Sequence, residues 1–400
     1  MRFPKITELD KDQMAIYQGA PPKGSILVSG PPGTGKTVIA FHRAHYVDKL
    51  KKNPKVIMFS KVLRTYSETG REIASDVESL TMHQWVYAWW VRLVRQGRQN
   101  PPNTGNQFDV DWLKILEKVL TLQGLNDFIE RIHWGHLIVD EGQDFPPAMY
   151  STLKTIMSLA NETSGPAISV FADENQRLFP QNSTLEQIRQ ALGLHSSDKN
   201  VFQLKKNYRN SKEIAELSKL FYVGLKTGIP DIPDRKGRGG IPTVTVVDKD
   251  TTGKTFDAFA SQIAAYAKSR RSDTIGVIAT SNQSRKTLFN RLTAKLGEEN
   301  IHVQTYYYQD TNTALKFDIP GVTVLNYQSA KGLEFDAVFI VDPGNLLAGS
   351  STELHVKMTL YVMCSRAREY LNLMLVKDKQ ATKIISWLSV AKNIFTREDK

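Results

Sequence analysis

An octapeptide near the start of the chain constrains its fold more than any other segment. It reads Gly30-Pro31-Pro32-Gly33-Thr34-Gly35-Lys36-Thr37. The apolar run 25–29 precedes it and predicts a buried strand, and residues 38–44 follow with the pattern of a helix. A glycine-rich loop between a strand and a helix is typical of a P-loop, because backbone N–H groups and the helix N-terminus then face phosphate oxygens. The sequence therefore predicts a nucleoside triphosphate site, with a chance glycine turn as the alternative. Lys36 would reach the β/γ-phosphates, and Thr37 would place its hydroxyl on Mg²⁺.

Composition narrows the class of protein. Four hundred residues, 41% of them hydrophobic, are enough for two or three globular domains. No apolar run is long enough to span a membrane, and the first residues lack the apolar core of a signal peptide. The single cysteine, Cys364, excludes an intramolecular disulfide framework, so we expect a cytoplasmic protein with no membrane partner. The net charge of +11 favours a polyanionic partner.

Predicted strands and helices alternate along the whole chain. Strands are expected at 25–29, 56–60, 136–139, 168–172 and 201–204, and then at 242–247, 275–279, 322–325, 337–341 and 370–376. Helices are expected between them, among others at 61–74, and a final helix is expected at 383–395. This alternation is typical of parallel α/β sheets. We therefore expect two α/β lobes, 1–205 with the P-loop and a small helical insertion at about 86–132, and 206–400 without a P-loop.

A second segment carries acidic residues at the end of a predicted strand. It reads Leu137-Ile138-Val139-Asp140-Glu141-Gly142-Gln143-Asp144-Phe145. Asp140 is placed to hold Mg²⁺ through water, and Glu141 to orient or deprotonate the attacking water. The alternative is a strand that ends in a solvated acidic turn.

Four further segments have weaker patterns. They are 173–176, 204–211, 329–336 and 360–369. Gln176, at the end of the first of them, is a candidate sensor of the γ-phosphate. A turn or a solvated helix would explain each of these segments when it is taken alone.

Taken in order, these segments resemble the motif series of the UvrD/Rep-like superfamily 1 helicases. The resemblance extends from Gln13 to about Leu371 and covers both lobes. It implies an α/β fold of two tandem RecA-like parallel-sheet domains with an ATP cleft between them, and ATP and Mg²⁺ as cofactors. It also implies an ATP-dependent translocase or helicase on single-stranded DNA that moves 3′ to 5′.

The same resemblance assigns roles at the nucleotide site. Catalysis is assigned to Lys36, Glu141, Gln176, Arg209 and Arg366, and Mg²⁺ to Thr37 and Asp140. Nucleotide binding is assigned to Gln13, the whole loop from Gly30 to Thr37, Tyr208 and Glu334. In this assignment Gln13 reads adenine, Tyr208 stacks on it and Glu334 faces the ribose. Because Arg209 and Arg366 would come from the second lobe, hydrolysis would require the lobes to close.

Nucleic acid is assigned to a third set of positions by the resemblance. These are Phe59, Thr81, His83, Phe179, Asn326, Gln328 and Lys331. Aromatic side chains stack on bases of any sequence, and this favours Phe59. For Trp85, Trp89 and Trp90 we favour packing in the core over base stacking. The arginines at 92, 95 and 98 would either line phosphates or form a solvated helix face.

The sequence departs from the family pattern in three respects. Gln181 stands at the position of a stacking tryptophan, so either Phe179 compensates for it or base stacking at this position is lost. Asn326 and Gln328 stand where a DNA-contacting motif has threonine and histidine. The large 1B/2B-type insertions are absent, so the chain resembles a minimal motor in which ATP hydrolysis and translocation are favoured over unwinding.

Other functions remain open from the sequence. One is an ATP-driven regulatory subunit that recruits a nuclease or another effector, with the predicted helix at 383–395 as a docking element. RNA in place of DNA is another. A P-loop ATPase or kinase outside the helicases is the third.

Overall fold

The computed structural model describes residues 4–58, 77–95, 97, 99–106, 109–160, 165–177, 181–225, 227–250, 253–306, 315–317, 319–349, 352–391 and 393–400. Its strands fall into two groups along the chain. The first group comprises β1 (Ser25–Ser29), β2 (Pro54–Met58), β3 (Glu78–Thr81), β4 (His136–Val139), β5 (Ala167–Ala172) and β6 (Val201–Gln203). The second comprises β7 (Thr243–Val247), β8 (Thr274–Ala279), β9 (Val303–Thr305), β10 (Gly321–Asn326), β11 (Phe335–Val341), β12 (Ala367–Val376) and β13 (Thr396–Asp399).

Helices connect the strands in both groups. In the first group they are Lys11–Met14, Lys36–Lys49, Met82–Val94, Trp112–Thr121, Phe128–Ile132, Pro147–Leu159 and Leu185–Ala191. Then follow Lys212–Lys219, Lys254–Ser269, Asn282–Leu296, Asn345–Ala348, Glu353–Cys364 and Lys379–Leu388. Across the described part of the chain, each helix is too short or too polar to cross a membrane.

Each group of strands forms one parallel sheet. The first sheet has the order β3-β2-β4-β5-β1-β6 and the second the order β13-β7-β12-β11-β8-β10-β9. Every strand pairing in both sheets is parallel. The predicted fold class, two tandem RecA-like α/β domains, is therefore confirmed. The domain boundary at 205/206 stays a prediction.

Buried apolar residues pack on both faces of each sheet. Along β1, Ile26 and Val28 belong to one cluster and Leu27 to another, because successive side chains of a strand point to opposite faces. The cluster that contains Val28 continues through Leu204 into the second lobe, where it includes Ile340 of β11. The lobes therefore share one continuous core in addition to a separate core for each.

The tryptophans of the helical insertion lie in the core of the first lobe, as predicted. Trp85 and Trp89 are buried and stack with ring centroids 5.6 Å apart. Trp134 packs edge-on against Trp89 at 5.5 Å and donates its indole N–H to the carbonyl of Ala167. These rings therefore present no free face to nucleic acid.

The end of the chain differs from the prediction. The last helix is Lys379–Leu388, not 383–395, and the chain then forms β13 in parallel with β7. This strand reads Thr-Arg-Glu-Asp and has no apolar alternation that a sequence pattern can detect. The short strand β3 was also not expected. The helix predicted at 61–74 lies outside the described residues.

The final helix generates a test of its packing. Ile384 is fully buried in the shared core, whereas Val390, just beyond the helix, is 82% exposed. We expect Ile384→Ala to lower the free energy of unfolding by about 2–5 kcal/mol, because it leaves a cavity in a packed core. Urea unfolding followed by circular dichroism measures the change.

Val390→Ala is the matched control for this experiment and should leave the unfolding free energy unchanged within about 0.5 kcal/mol. Equal effects of the two substitutions would show that the helix is not packed as the structure has it.

Candidate active site between the two lobes

The P-loop joins β1 to the helix Lys36–Lys49 in the expected strand–loop–helix order. Gly33 and Gly35 both have φ of +83°, a left-handed conformation that side-chain-bearing residues rarely adopt. A Cβ at Gly33 would also lie 2.5 Å from Oδ1 of Asn207. Glycine is thus required at position 33 by both the backbone and the neighbouring lobe.

Lys36 is held in the loop by main-chain oxygens. Its ammonium donates to the carbonyls of Gly30 at 2.6 Å and Pro31 at 3.1 Å, and it lies 3.6 Å from Oδ2 of Asp173. The register of β1 with β5 pairs Ser29 with Ala172, so the P-loop and Asp173 begin at the same sheet edge. This edge therefore positions a buried cation where the phosphates of a nucleotide would enter.

Thr37 and Asp140 meet at the same edge, as predicted. The Thr37 hydroxyl donates to Oδ2 of Asp140 at 2.8 Å, and Oδ1 has no hydrogen-bond partner among the described residues. Burial, followed by the neighbouring Glu141, raises the pKa of Asp140 to about 7. Mg²⁺ prefers carboxylate, hydroxyl and phosphate oxygens, so a buried carboxylate oxygen without a partner beside a hydroxyl fits this ion.

Glu141 is buried beside Asp140 and has a left-handed backbone with φ of +53°. Its Oε2 accepts a hydrogen bond of 2.6 Å from Gln143. Burial acts to raise the pKa of Glu141, but Lys331, Lys36 and the Gln143 hydrogen bond outweigh burial and lower it. The carboxylate is thus kept ionised, which is the state that a general base requires.

Arg366 reaches this edge from the second lobe. Its Nη2 donates to Oε1 of Gln176 at 2.8 Å, and the Gln176 amide donates to Asp173 at 2.8 Å. Burial, and after it the charge of Arg209, lowers the pKa of Arg366 to about 9, so the guanidinium remains charged at neutral pH. A chain of hydrogen bonds therefore connects Arg366 to Asp173, the carboxylate beside Lys36.

Arg209 and Glu334 form an ion pair on the second-lobe side of the cleft. Nε of Arg209 donates to Oε2 of Glu334 at 2.9 Å, and both side chains are largely buried. Burial acts to raise the pKa of Glu334, but Arg209 and Arg368 outweigh it and lower the pKa. Glu334, which the resemblance assigns to the ribose, contacts Arg209 in this structure. Its contact with a ribose stays a prediction.

Most of the predicted nucleotide residues line one open cleft. The members of the predicted set that line it are Gln13, Gly33, Gly35, Lys36, Thr37, Glu141, Gln176, Tyr208, Arg209, Glu334 and Arg366. The cleft is also lined by Arg368, Gly332 and Val38, which were not predicted from the sequence. For Arg368, the one sequence feature that could have indicated a place in the cleft is its position two residues after Arg366.

Lys331, which the resemblance assigns to nucleic acid, is buried at the contact between the lobes. Its side chain forms an ion pair of 2.5 Å with Asp144 of the first lobe. Burial raises the pKa of Asp144 to about 6 despite this lysine. In this arrangement Lys331 neutralises a buried carboxylate, and its contact with nucleic acid stays a prediction.

The other predicted nucleic-acid residues differ in exposure and in local contacts. Thr81 is buried and caps the helix Met82–Val94 through the Gln84 N–H, whereas His83 is exposed. Asn326 receives a hydrogen bond from the Ser329 N–H, and Gln328 is exposed. Phe59 and Phe179 lie outside the described residues. Most of the nucleotide set therefore lines one cleft, whereas the assignments to nucleic acid stay predictions.

Two families match successive parts of the chain. Residues 12–180 match the family described as AAA domain, and residues 321–374 match the UvrD-like helicase C-terminal domain. Together the two matches support a likeness of this chain to the UvrD-like superfamily 1 helicases. The first matched segment contains Lys36, Asp140 and Glu141, and the second contains Glu334 and Arg366. Of these residues, Lys36, Glu141, Glu334 and Arg366 line the same cleft.

Two solved structures of one helicase share the fold of this chain. The DUF1998 helicase MrfA bound to DNA superposes on 96% of this chain with a TM-score of 0.54. MrfA bound to DNA and AMPPNP superposes on 98% with a TM-score of 0.53. In both cases the identity is 11% and the chain spans 52% of the MrfA chain. The C-terminal domain of a possible DNA helicase from Lactobacillus plantarum WCFS1 is 26% identical, with a TM-score of 0.34, over 48% of this chain and 98% of that one.

One curated relative matches a short part of the sequence. Regulator of nonsense transcripts 1 from Dictyostelium discoideum is 39% identical over 80 residues. These residues are 15% of this chain and 6% of the relative.

The charge on Lys331 gives a prediction about pH. If Glu141 is the general base, it works only when ionised, and Lys331 is the strongest of the charges that lower its pKa. We expect Lys331→Met to raise the pKa of Glu141. As the pH falls, Glu141 would then become protonated at a higher pH than in the wild type, and ATPase activity would be lost at that higher pH. The measurement is kcat/KM for ATP as a function of pH.

Lys331→Arg keeps the positive charge and should keep the acid limb of the wild-type profile. An acid limb that is identical in Lys331→Met and wild type would exclude this electrostatic role for Lys331.

Proposed function

We propose that this protein is a nucleic-acid-stimulated ATPase that translocates on single-stranded DNA, 3′ to 5′, and couples ATP hydrolysis to strand movement or unwinding. The observation that carries the proposal is the position of Arg209 and Arg366, from one lobe, in the same cleft as Lys36 and Thr37 of the other. A nucleotide in this cleft would contact both lobes at once.

The arrangement of charges suits phosphoryl transfer. Negative charge accumulates on the γ-phosphoryl oxygens in the transition state, and an arginine finger is typically worth ~10³–10⁵ in rate. Arg366 already contacts Gln176, beside Asp173 and Lys36, before any nucleotide is considered. We propose that Glu141 orients the attacking water, and that Mg²⁺, held at Thr37 and Asp140, supplies positive charge to the phosphates.

Closure of the cleft would connect this chemistry to movement. The lobes share a core around Leu204 and contact each other through Lys331 with Asp144 and through Arg366 with Gln176. Hydrolysis removes the phosphate that Arg209 and Arg366 are proposed to contact. A cycle in which ATP closes the lobes and hydrolysis opens them can move two nucleic-acid sites in alternation.

The substrate is proposed from the family resemblance and from charge. The net charge of +11 favours a polyanion. MrfA, which shares the fold, is described as bound to DNA, whereas the curated relative is named as a regulator of transcripts. We propose that the substrate is DNA, and each assay should include RNA as a comparison.

The first test is stimulation of ATP hydrolysis by nucleic acid. We expect single-stranded DNA to raise the ATPase rate at least several-fold, because nucleic acid would favour the closed lobes. Lys36→Ala and Glu141→Gln should both abolish hydrolysis, and Glu141→Gln should still bind ATP. The measurement is phosphate release with no nucleic acid, with single-stranded DNA and with RNA of equal length.

Arg366→Ala serves as the variant on the second-lobe side of the cleft. It should lower kcat by about 10³-fold or more while sparing ATP binding. Equal rates with and without either nucleic acid would contradict the proposed function. Greater stimulation by RNA than by DNA would show that RNA, and not DNA, is the substrate.

The second test concerns direction. We expect strand displacement, or displacement of a bound streptavidin block, on substrates with a 3′ single-stranded tail and not on those with a 5′ tail. The reverse preference would contradict the proposed polarity. Nucleic-acid-stimulated hydrolysis without movement on either substrate would support the alternative of an ATP-driven regulatory subunit for a nuclease or other effector.

A further inference from the structure

The base end of the nucleotide cleft is built from two separate segments of the chain. Gln13 and Tyr208 both line the cleft, Gln13 from the amino-terminal helix and Tyr208 from the segment after β6. Tyr208 is 43% exposed, and the ammonium of Lys206 lies 5.1 Å from the centre of its ring. A half-exposed ring of this kind needs a fixed partner if it is to hold one orientation.

Asp10 connects these two segments through one carboxylate. Its Oδ1 accepts the backbone N–H of Gln13 at 2.8 Å, and its Oδ2 accepts the Tyr208 hydroxyl. The Asp10 N–H in turn donates to the side-chain Oε1 of Gln13 at 3.2 Å. Two residues that are 198 positions apart in the chain, Asp10 and Tyr208, are therefore in direct contact.

Asp10 lies behind the cleft and is not among the described residues that line it. Its contacts fix the phenol ring from one side and the Gln13 amide from the other. Burial, and after it the hydrogen bond to Asp10, raises the pKa of Tyr208, so the phenol keeps its proton and remains a donor. The contact thus persists throughout the neutral pH range.

We propose that Asp10 is a positioning residue for the base of the bound nucleotide, because it holds Tyr208 and Gln13 at a fixed separation before the nucleotide enters. This inference rests on the proposed function as an ATP-binding motor. Affinity for the purine end of ATP therefore depends on Asp10, whereas affinity for the triphosphate end depends on Lys36 and the P-loop.

Preorganisation explains why a residue outside the cleft affects affinity. Without Asp10, the tyrosine ring samples other rotamers, and binding must then restrict it at an entropic cost. A hydrogen bond to a charged acceptor is also among the stronger ones in proteins. We expect removal of the contact to weaken ATP binding by about tenfold.

Two substitutions remove the same contact from opposite sides. Asp10→Ser keeps an oxygen that caps the Gln13 N–H, since serine is a good N-cap, but it is too short to reach Tyr208. Tyr208→Phe keeps the aromatic face and removes only the hydroxyl. Each should weaken ATP binding to the same degree, and the double variant should be no weaker than either single variant.

Inorganic tripolyphosphate separates the base end from the phosphate end. Titration calorimetry in the presence of Mg²⁺ measures the Kd of ATP and of tripolyphosphate for the full chain and each variant. We expect the Kd for ATP to rise in Asp10→Ser and Tyr208→Phe, with the Kd for tripolyphosphate unchanged. Thermal unfolding of each variant should match that of the wild type.

Three results would overturn the inference. One is a change of less than about twofold in ATP affinity for either single variant, and another is a double variant whose loss is the product of the two single losses. The third is an equal loss of tripolyphosphate affinity, which would indicate general damage to the lobe. Wild-type protein that binds neither ATP nor tripolyphosphate would instead contradict the proposed function.

Discussion

Four carboxylates lie buried where the two lobes meet, and a buried carboxylate is stable only when cations or hydrogen-bond donors surround it. They are Asp140, Glu141, Asp144 and Asp173, and the buried cations among them are Lys36, Lys331 and Arg366. Of these three cations among the described residues, Lys36 belongs to the first lobe, and Lys331 and Arg366 belong to the second. The carboxylates of the first lobe therefore depend on the second lobe for charge balance, and this dependence couples nucleotide chemistry to the contact between the lobes.

Strand direction explains how two sheets achieve this arrangement. The carboxylates follow the carboxyl ends of β4 and β5, next to the P-loop at the end of β1. In the second sheet, the residues that face the cleft come just before strands. Glu334 precedes β11, and Arg366 precedes β12. These two strands are paired, with Phe335 opposite Ala367. The carboxyl edge of one parallel sheet thus faces the amino edge of the other across the cleft.

The sequence was sufficient for features that have local signatures. The P-loop, the acidic strand end at Asp140 and nearly every long strand follow patterns within about ten residues. The pairs that cross the chain had no such signature: Lys331 and Asp144 are 187 positions apart, and Arg209 and Glu334 are 125 apart. Lys331 was assigned to nucleic acid because a motif gives a residue's place in a series but not its partner. The polar strand β13 was missed for a related reason, because its stability comes from the ladder with β7.

The pKa values at the junction indicate how a nucleotide would change it. Burial is the largest cause that raises the pKa of Asp140 to about 7 and that of Asp144 to about 6, although nearby lysines act to lower both. A divalent cation beside Asp140 would favour the ionised form of that group and of its neighbour Glu141. Asp144 and Glu141 both interact electrostatically with Lys331 of the second lobe. A change in the charge of one of these carboxylates therefore alters the interaction of the other with Lys331. The lysine that most lowers the pKa of Glu141 is therefore also one of the residues that connect the lobes, so a change in charge at Glu141 would affect a contact between them.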